Sequence, residues 1–348
     1  MFILEKAKIT KMVLRYSNTQ LMKGARLAKS MLTSIKKDIS LNQEMGLRNP
    51  NLTAIQVGNN RSSDVYLRKK SEACQYCGID FDQINLQENV TQKYLHDTID
   101  YLNQDKSVDG IIVQLPLPQG LNQYEACTKV HWSKDVDGFH PYNFGKLALG
   151  FNTFMPATVA GIITLIDSEL GISWLRGKNI CIVGRSDHIC KPLQLWMQNS
   201  MMRQQPGGNA TVTLVHEETE TNFMFNVLKN ADLVVTATGR NQMWLTGDHI
   251  KDGSVIIDVA FNRDAKTNKT FGDVNIESCL GIASKITPVP NGIGPLTVSE
   301  LMKNVLRAFD QRQDASLRKE LEEDFYLDGY LVDRAKSDND GLVGSEKY

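Results

Sequence analysis

Two spacings of apolar residues alternate along this chain. Between Leu21 and Ile39, the residues Leu21, Ala25, Ala28, Leu32 and Ile35 recur at three or four, the period of one helix face. LTAIQVG (Leu52 to Gly58) is instead an apolar run of strand length, closed by glycine and the polar turn NNRSS. A helical stretch from Ser63 to Tyr76 follows, stopped by Gly78. Then come a short strand (Ile79 to Ile84), a helix (Thr91 to Asn103) and the β-branched strand DGIIVQLPLP. Strands alternating with helices of roughly 10–15 residues predict right-handed βαβ crossovers and a mostly parallel sheet.

A second unit of the same kind begins near Gly177. KNICIVG, ATVTLVH, ADLVVTATG and GSVIIDVAF are apolar on both faces, as central parallel strands are. A final helix from Leu296 to Phe309 carries Leu301, Val305 and Phe309. From Gln311 the chain is charge-rich and reads as a short helix followed by a disordered tail.

Composition narrows the function classes. Thirty-nine basic against forty acidic residues leave a formal charge of -1, so no broad electropositive surface for nucleic acid is expected. No apolar run approaches the ~18 residues of a membrane span. Six cysteines in 348 residues form no disulfide framework, and the expectation is an intracellular protein of a reducing compartment. Met1 to Ser17 holds Lys6, Lys8, Lys11 and Arg15 against Glu5 alone, interleaved with apolar residues. That composition suits an organellar transit segment, and equally the frayed start of the first helix.

Five blocks carry candidate chemistry. In VYLRKK, Tyr66 and Lys70 lie four apart and share a helix face, so a ring able to stack on a planar ligand sits beside an acid/base group. Alone, the block reads as well as an exposed basic helix face. VQLPLP (Val113 to Pro118) places the Gln114 amide at the carboxyl edge of a sheet, where open α/β sheets bind ligands. In KDVDGF, Asp135 and Asp137 face the same way if the segment is extended, but they suit an Asx turn too. VGRSDHICKP (Val183 to Pro192) joins a strand to a helix, where backbone N–H groups meet phosphate, though it lacks GxGxxG. ITPVPNGIGPLT (Ile286 to Thr297) packs prolines and glycines into a stiff loop with little entropy to lose on binding. CQYC (Cys74 to Cys77) has no partner motif and reads as helix packing.

Taken in order, YxxxK, VQLPLP, KDVDG, GRSxxxxxP, GDV (Gly272 to Val274) and TPVPxGxGPxT resemble the bifunctional methylenetetrahydrofolate dehydrogenase/methenyltetrahydrofolate cyclohydrolase family over roughly Gln20 to Phe309. The loop RQQPGGNATVTLVH looks like the insert of its mitochondrial NAD-dependent branch. The resemblance implies two α/β domains with an interdomain cleft, the second domain Rossmann-like. The folate-binding catalytic domain would span 18–165, joined by the helix 296–310. The NAD(P)-binding domain would span 166–295, with an extension at 1–17 and a charged tail at 311–348. A homodimer acting on tetrahydrofolate substrates is implied, mitochondrial or otherwise cytoplasmic.

Carried over by position, Tyr66 stacks on the folate and Lys70 is the acid/base of the cyclohydrolase step. Gln114 tunes Lys70, and Asp137 holds the pterin's amino and ring nitrogens. Leu67, Arg68, Lys69, Val113, Leu115 and the loop Pro290, Asn291, Gly292, Ile293 and Gly294 line the folate site. Gly184, Arg185 and Ser186 contact the dinucleotide, Glu217, Glu218 and Thr219 lie near its ribose, and Phe261 faces the nicotinamide side. An acid at the end of the second strand suits a free 2′-OH, so NAD is expected, with Arg185 leaving NADP as the alternative. The positions matching the NAD branch's phosphate–magnesium site are Gly150, Asn209 and Glu217, which do not supply its acids and arginine, and no metal ligands are assigned. Departures at Cys190, Phe261 and Asn291 motivate a second reading, a member that binds folate or a partner without turnover.

Overall fold

The computed structural model describes residues 19–59, 61–200, 202–264, 267 and 269–314. The expectations for 1–17 and for the tail beyond 314 lie outside the described residues. The first three-stranded sheet has β2 (Asn51–Val57) at its centre, between β3 (Asp80–Leu86) and β4 (Gly110–Val113), all parallel. Every residue of β2 is buried, as a strand covered on both faces requires, whereas the edge strand β3 alternates between exposed and half-buried positions. The helices Gly24–Glu44, Arg61–Cys77 and Gln92–Gln104 serve this unit. Thr91 caps the third, accepting a hydrogen bond from the Tyr94 N–H.

The second sheet is six-stranded and parallel. It combines β1 (Gln20–Leu21), β5 (Asn179–Val183), β6 (Thr211–Val215), β7 (Leu233–Thr236), β8 (Val255–Asp258) and β11 (Lys285–Ile286), in the order β1-β11-β8-β7-β5-β6. A small antiparallel ribbon, β9 (Asn262–Arg263) and β10 (Thr270–Phe271), stands apart. The expected fold class, two α/β domains with a Rossmann-like second, is what the chain forms.

Two expectations change. Leu21 does not start a helix: it pairs with Ile286 on the second sheet, the Met22 N–H donates to the Ile286 carbonyl, and the helix begins only at Gly24. Glycine is needed there, because a Cβ would come within 2.3 Å of the Gly292 carbonyl oxygen. The domain boundary at 165/166 also falls inside a continuous helix, Ala157–Leu170. Val159, Ile162, Leu165 and Ile166 pack with Ile180, Ile182 and Leu193 of the second domain, while Ala157 joins the core of the first. The last helix, 293–314, likewise bridges the two: Leu296 enters the second-domain core, and Leu301, Val305 and Phe309 enter the first. Two rigid helices therefore connect the domains and fix the walls of the cleft.

One buried carboxylate ties the last helix down. Asp109, fully buried, accepts from Arg48 Nη1 and Nη2 at 2.7 and 2.8 Å and from the Asn51 N–H at 2.9 Å. Arg312 pairs with it at 3.6 Å and donates to the Val108 carbonyl at 2.7 Å. Removing one partner of such a cluster strands the remaining charges, at about 3–5 kcal/mol. Asp109→Ala should therefore lower the unfolding free energy by about 3 kcal/mol in urea titrations while leaving the slope of the transition unchanged.

Candidate active site

The helix Arg61–Cys77 buries Leu67, Ala73, Cys74 and Cys77 against the first core, which leaves Tyr66 and Lys70, one turn apart, on another face. The two cysteines are packing groups: Cys74 Sγ meets Met302 Sδ at 3.4 Å, and burial pushes the thiols up to about 12 and about 11. Lys70 Nζ donates to Gln114 Oε1 at 3.1 Å. Gln114 follows β4 directly, its N–H donates to the Ile55 carbonyl at 2.9 Å, and its Nε2 donates to the Leu115 carbonyl at 2.8 Å. Because Nε2 is spent on a carbonyl, the amide oxygen must face Lys70, which has only donors. No carboxylate forms an ion pair with Lys70 among the described residues. Tyr66, half-exposed with its phenol pKa raised by burial, meets Phe261 of the second domain edge to face, ring centroids 5.6 Å apart.

Asp135 and Asp137 part company. Asp135 is 3% exposed and accepts from the Phe139 N–H at 3.0 Å, the His140 N–H at 2.8 Å and Asn143 Nδ2 at 2.8 Å. It is the anchor of the turn. The chain is not extended here, since Gly138 has φ +72° and a Cβ on it would lie 2.7 Å from the Pro156 nitrogen. Asp137 is half-buried and has no hydrogen-bond partner among the described residues, so its carboxylate is the available one.

Several predicted lining residues point elsewhere. Leu67 is core, and Arg68 pairs with Glu72 at 3.7 Å across a separate groove of about 420 Å3 that also includes Asp64, Ser71, Gln75 and Gln83. That groove is the larger of the two described, yet it contains neither Lys70 nor Gln114. Lys69 is exposed. Val113 and Ile293 turn their side chains into hydrophobic cores. Leu115, half-buried, precedes the cis Leu115–Pro116 bond, and Pro290, Asn291 and Gly294 are exposed after the cis Val289–Pro290 bond. Gly292 is buried, with space for a Cβ denied by the Pro288 carbonyl at 2.6 Å.

A cavity of about 380 Å3 opens at the carboxyl ends of β5, β6 and β7, lined by Gly184, Arg185, Ser186 and Glu217 as expected, and by His216, Ala237, Thr238 and Arg240. Gly184 has φ +131°, and a Cβ there would meet Cys190 Sγ at 2.8 Å and the Ala237 carbonyl at 2.9 Å. Arg185 donates to Glu217 at 2.5 Å, an exposed pair, and this hydrogen bond adds to one with the backbone in holding the Glu217 carboxyl below its usual range. Glu218 is exposed and outside the cavity lining, and Thr219 Oγ1 folds back to accept from the His216 N–H at 2.9 Å. Phe261 does not line this cavity either: it stands at the junction with Tyr66. Cys190 closes the loop, its N–H donating to Ser186 Oγ at 3.3 Å.

The GDV block proves to be the support of this pocket. Asp273 Oδ2 accepts from Thr236 Oγ1 at 2.6 Å, the Thr238 N–H at 2.9 Å and Thr238 Oγ1 at 2.8 Å. Asp258 Oδ2 accepts from the Val274 N–H at 2.9 Å, and Gly272 lies so close to that carboxyl that no Cβ fits. Thr238 and Arg240 were reachable from the sequence by the rule that ligands meet the carboxyl ends of parallel strands, because Thr238 lies at the end of ADLVVTATG and Arg240 directly follows it. Among the described residues no group of three or more His, Cys, Asp or Glu is placed to hold a metal, and no helix is long and apolar enough to cross a membrane.

Two joined α/β units carry a nucleotide-type pocket on one and an amine–amide pair on the other. Family models agree: residues 22–137 match the tetrahydrofolate dehydrogenase/cyclohydrolase catalytic domain, and residues 156–313 match its NAD(P)-binding domain. The bifunctional protein FolD of Oceanobacillus iheyensis is 41% identical over 288 residues, covering 83% of this chain and 96% of that protein. A 5,10-methylenetetrahydrofolate dehydrogenase from the silkworm Bombyx mori superposes with a TM-score of 0.80 at 33% identity, covering 85% of this chain and 99% of that one. The Trypanosoma brucei dehydrogenase-cyclohydrolase, solved with NADP cofactor and inhibitor, gives 0.78 at 30% identity, covering 84% and 98%. The chain belongs to the tetrahydrofolate dehydrogenase/cyclohydrolase family.

Burial raises two of these acids, Asp135 to about 6 and Asp258 to about 7, the latter with help from the Asp273 charge. Both bind protons more tightly folded than unfolded, so the fold is favoured at low pH and loses stability as pH rises from about 4 to about 7. Each contributes up to about 1.4 kcal/mol per pH unit inside that window. Asp258→Asn should flatten the decline of Tm between pH 5 and pH 7, as read by calorimetry, whereas a steeper decline would contradict the burial argument.

Proposed function

We propose that this chain oxidises 5,10-methylenetetrahydrofolate to the 5,10-methenyl form with NAD(P) and hydrolyses the methenyl form to 10-formyltetrahydrofolate. The observation that carries the reading is the Lys70–Gln114 hydrogen bond of 3.1 Å, one helical turn from Tyr66. The glycine-lined cavity with Arg185, Ser186, Thr238 and Arg240 suits a dinucleotide's phosphates and ribose. A dinucleotide held there would supply the acceptor for the hydride that leaves the methylene carbon. That step needs juxtaposition rather than an acid or base, and the two connecting helices supply it.

Water then adds to the methenyl carbon and loses a proton, leaving a hydroxyl there; that hydroxyl gives up its proton to become the formyl carbonyl as the bond from the carbon to N5 breaks, and N5 takes up a proton. Lys70 is the group assigned to move these protons, with Gln114 fixing its position through a neutral acceptor. Tyr66 supplies the stacking face, and Asp137 accepts from the pteridine's amino and ring N–H groups. The intact amine–amide pair favours turnover over binding without it.

Lys70→Ala should lower cyclohydrolase kcat by about 10²–10⁴-fold while dehydrogenase turnover falls far less. Retained cyclohydrolase activity, measured by loss of methenyl absorbance, would contradict the assignment of Lys70.

We further infer the NAD-using branch, from Glu217. It occupies Arg185 and sets a negative charge where a 2′-phosphate would lie, although Arg240 on the same cavity is a second cation. Glu217→Ser should free Arg185 and raise the NADP/NAD ratio of kcat/KM by about tenfold. An unchanged ratio would remove Glu217 as the determinant. A mitochondrial location rests on the basic composition of 1–17 alone.

A further inference from the structure

His188 leaves the nucleotide cavity and lays its imidazole on Phe139 of the first domain, ring centroids 4.0 Å apart and planes 41° apart. It is one of the positions that the GRSxxxxxP block leaves open. Phe139 lies two residues beyond Asp137, so this ring contact sets the nucleotide loop beside the carboxylate assigned to the pteridine. His188 Nδ1 is buried and has no hydrogen-bond partner among the described residues, whereas Nε2, also without a protein partner, is not buried. A proton on Nδ1 would leave a buried N–H without an acceptor, the costlier kind of orphan. The neutral tautomer therefore carries its proton on Nε2, at the accessible edge. Burial lowers the imidazole's pKa against the pull of Asp137 and Asp187, which agrees with a neutral ring. Of the nearby carboxylates, Asp187 is occupied by the Tyr124 hydroxyl at 3.1 Å and by Lys191, and Asp135 by its three N–H donors. Asp137 alone of the three is open to a ligand.

A pteridine presents two adjacent N–H donor groups flanked by a ring carbonyl. A carboxylate matches the donors, and an N–H donor beside it matches the carbonyl. We propose that His188 is a substrate-positioning residue, contributed by the nucleotide-binding domain, whose Nε2–H donates to the pteridine carbonyl while Asp137 accepts from the neighbouring N–H groups. This rests on the assignment of Asp137 above. It makes the folate pocket complete only when the two domains are held together as they are here.

The test compares His188→Leu and His188→Gln in the full-length enzyme. KM for methenyltetrahydrofolate would be read in the cyclohydrolase assay, KM for the cofactor in the dehydrogenase assay, and binding of the stable 5-formyltetrahydrofolate by calorimetry. His188→Leu should raise folate KM and Kd about tenfold, the loss of roughly one good hydrogen bond, with kcat within about twofold and cofactor KM unchanged. His188→Gln, whose amide N–H reaches about as far as Nε2, should restore most of that loss, which a merely structural role would not predict. A folate KM within about twofold of the parent in His188→Leu, an equal rise in His188→Gln, or a rise confined to cofactor KM would overturn the proposal. Asp137→Ala separates the two levels: unchanged folate binding there defeats the pteridine pocket itself, whereas a loss there with none in His188→Leu defeats only His188.

Discussion

The site depends on holding an amine against a neutral acceptor at the edge of a buried sheet. A lysine beside a carboxylate would be fixed as an ammonium, and a lysine in open solvent would wander. Here Gln114 is a neutral partner held in place, because its side-chain Nε2–H is committed to the Leu115 carbonyl and its oxygen faces Lys70. That commitment follows from the strand. β4 ends at Val113, the Gln114 N–H still pairs with β2 through the Ile55 carbonyl, and the side chain emerges at the carboxyl edge. The helix Arg61–Cys77 is pinned in turn by Leu67 and the two cysteines, whose raised thiol pKa values mark apolar packing rather than reactivity.

The second constraint is that two domains must present their ligands to each other at a fixed spacing. Hydride transfer tolerates little slack, and about 1 Å of misplacement can cost some 10²-fold in rate. The helices Ala157–Leu170 and 293–314 each enter both cores, so the domains share structure instead of a flexible linker. Asp109 with Arg48 and Arg312 secures the far end of the second bridge.

Much of this was legible in the pattern of residues, and the failures have identifiable causes. Strands buried on both faces were plain because parallel central strands admit few polar residues, as β7 and β8 show. Leu21 was misread because its spacing to Ala25 fits a helix, while its pairing with Ile286 is a contact some 260 residues away that periodicity cannot register. The boundary at 165/166 failed because a helix whose buried residues serve two cores looks, in sequence, like any apolar helix. In the site, the structure brings together Lys70 and Gln114, a pairing that the resemblance implied. Leu67 and Arg68, adjacent in sequence, turn away from that pair, into the core and toward Glu72, since each residue turns a helical side chain by about 100°. Asp135 differed for another reason: a glycine at positive φ folded its segment into a turn and drew that carboxylate onto backbone N–H groups.

Side chains of the second domain reach across to the first. Phe261 reaches Tyr66, His188 reaches Phe139, and Asp187 reaches Tyr124. Each meets a partner of suitable chemistry: ring against ring twice, and hydroxyl against carboxylate once. Aromatic groups from both domains touch at this junction, Phe261 on Tyr66 and His188 on Phe139. A cleft whose walls are joined by helices has little freedom to close on its ligands, so side chains that reach across it must do the closing. Phe261 is the departure among them, and its edge-to-face contact with Tyr66 is the physical reason to read it as adjustment of a working site rather than its loss.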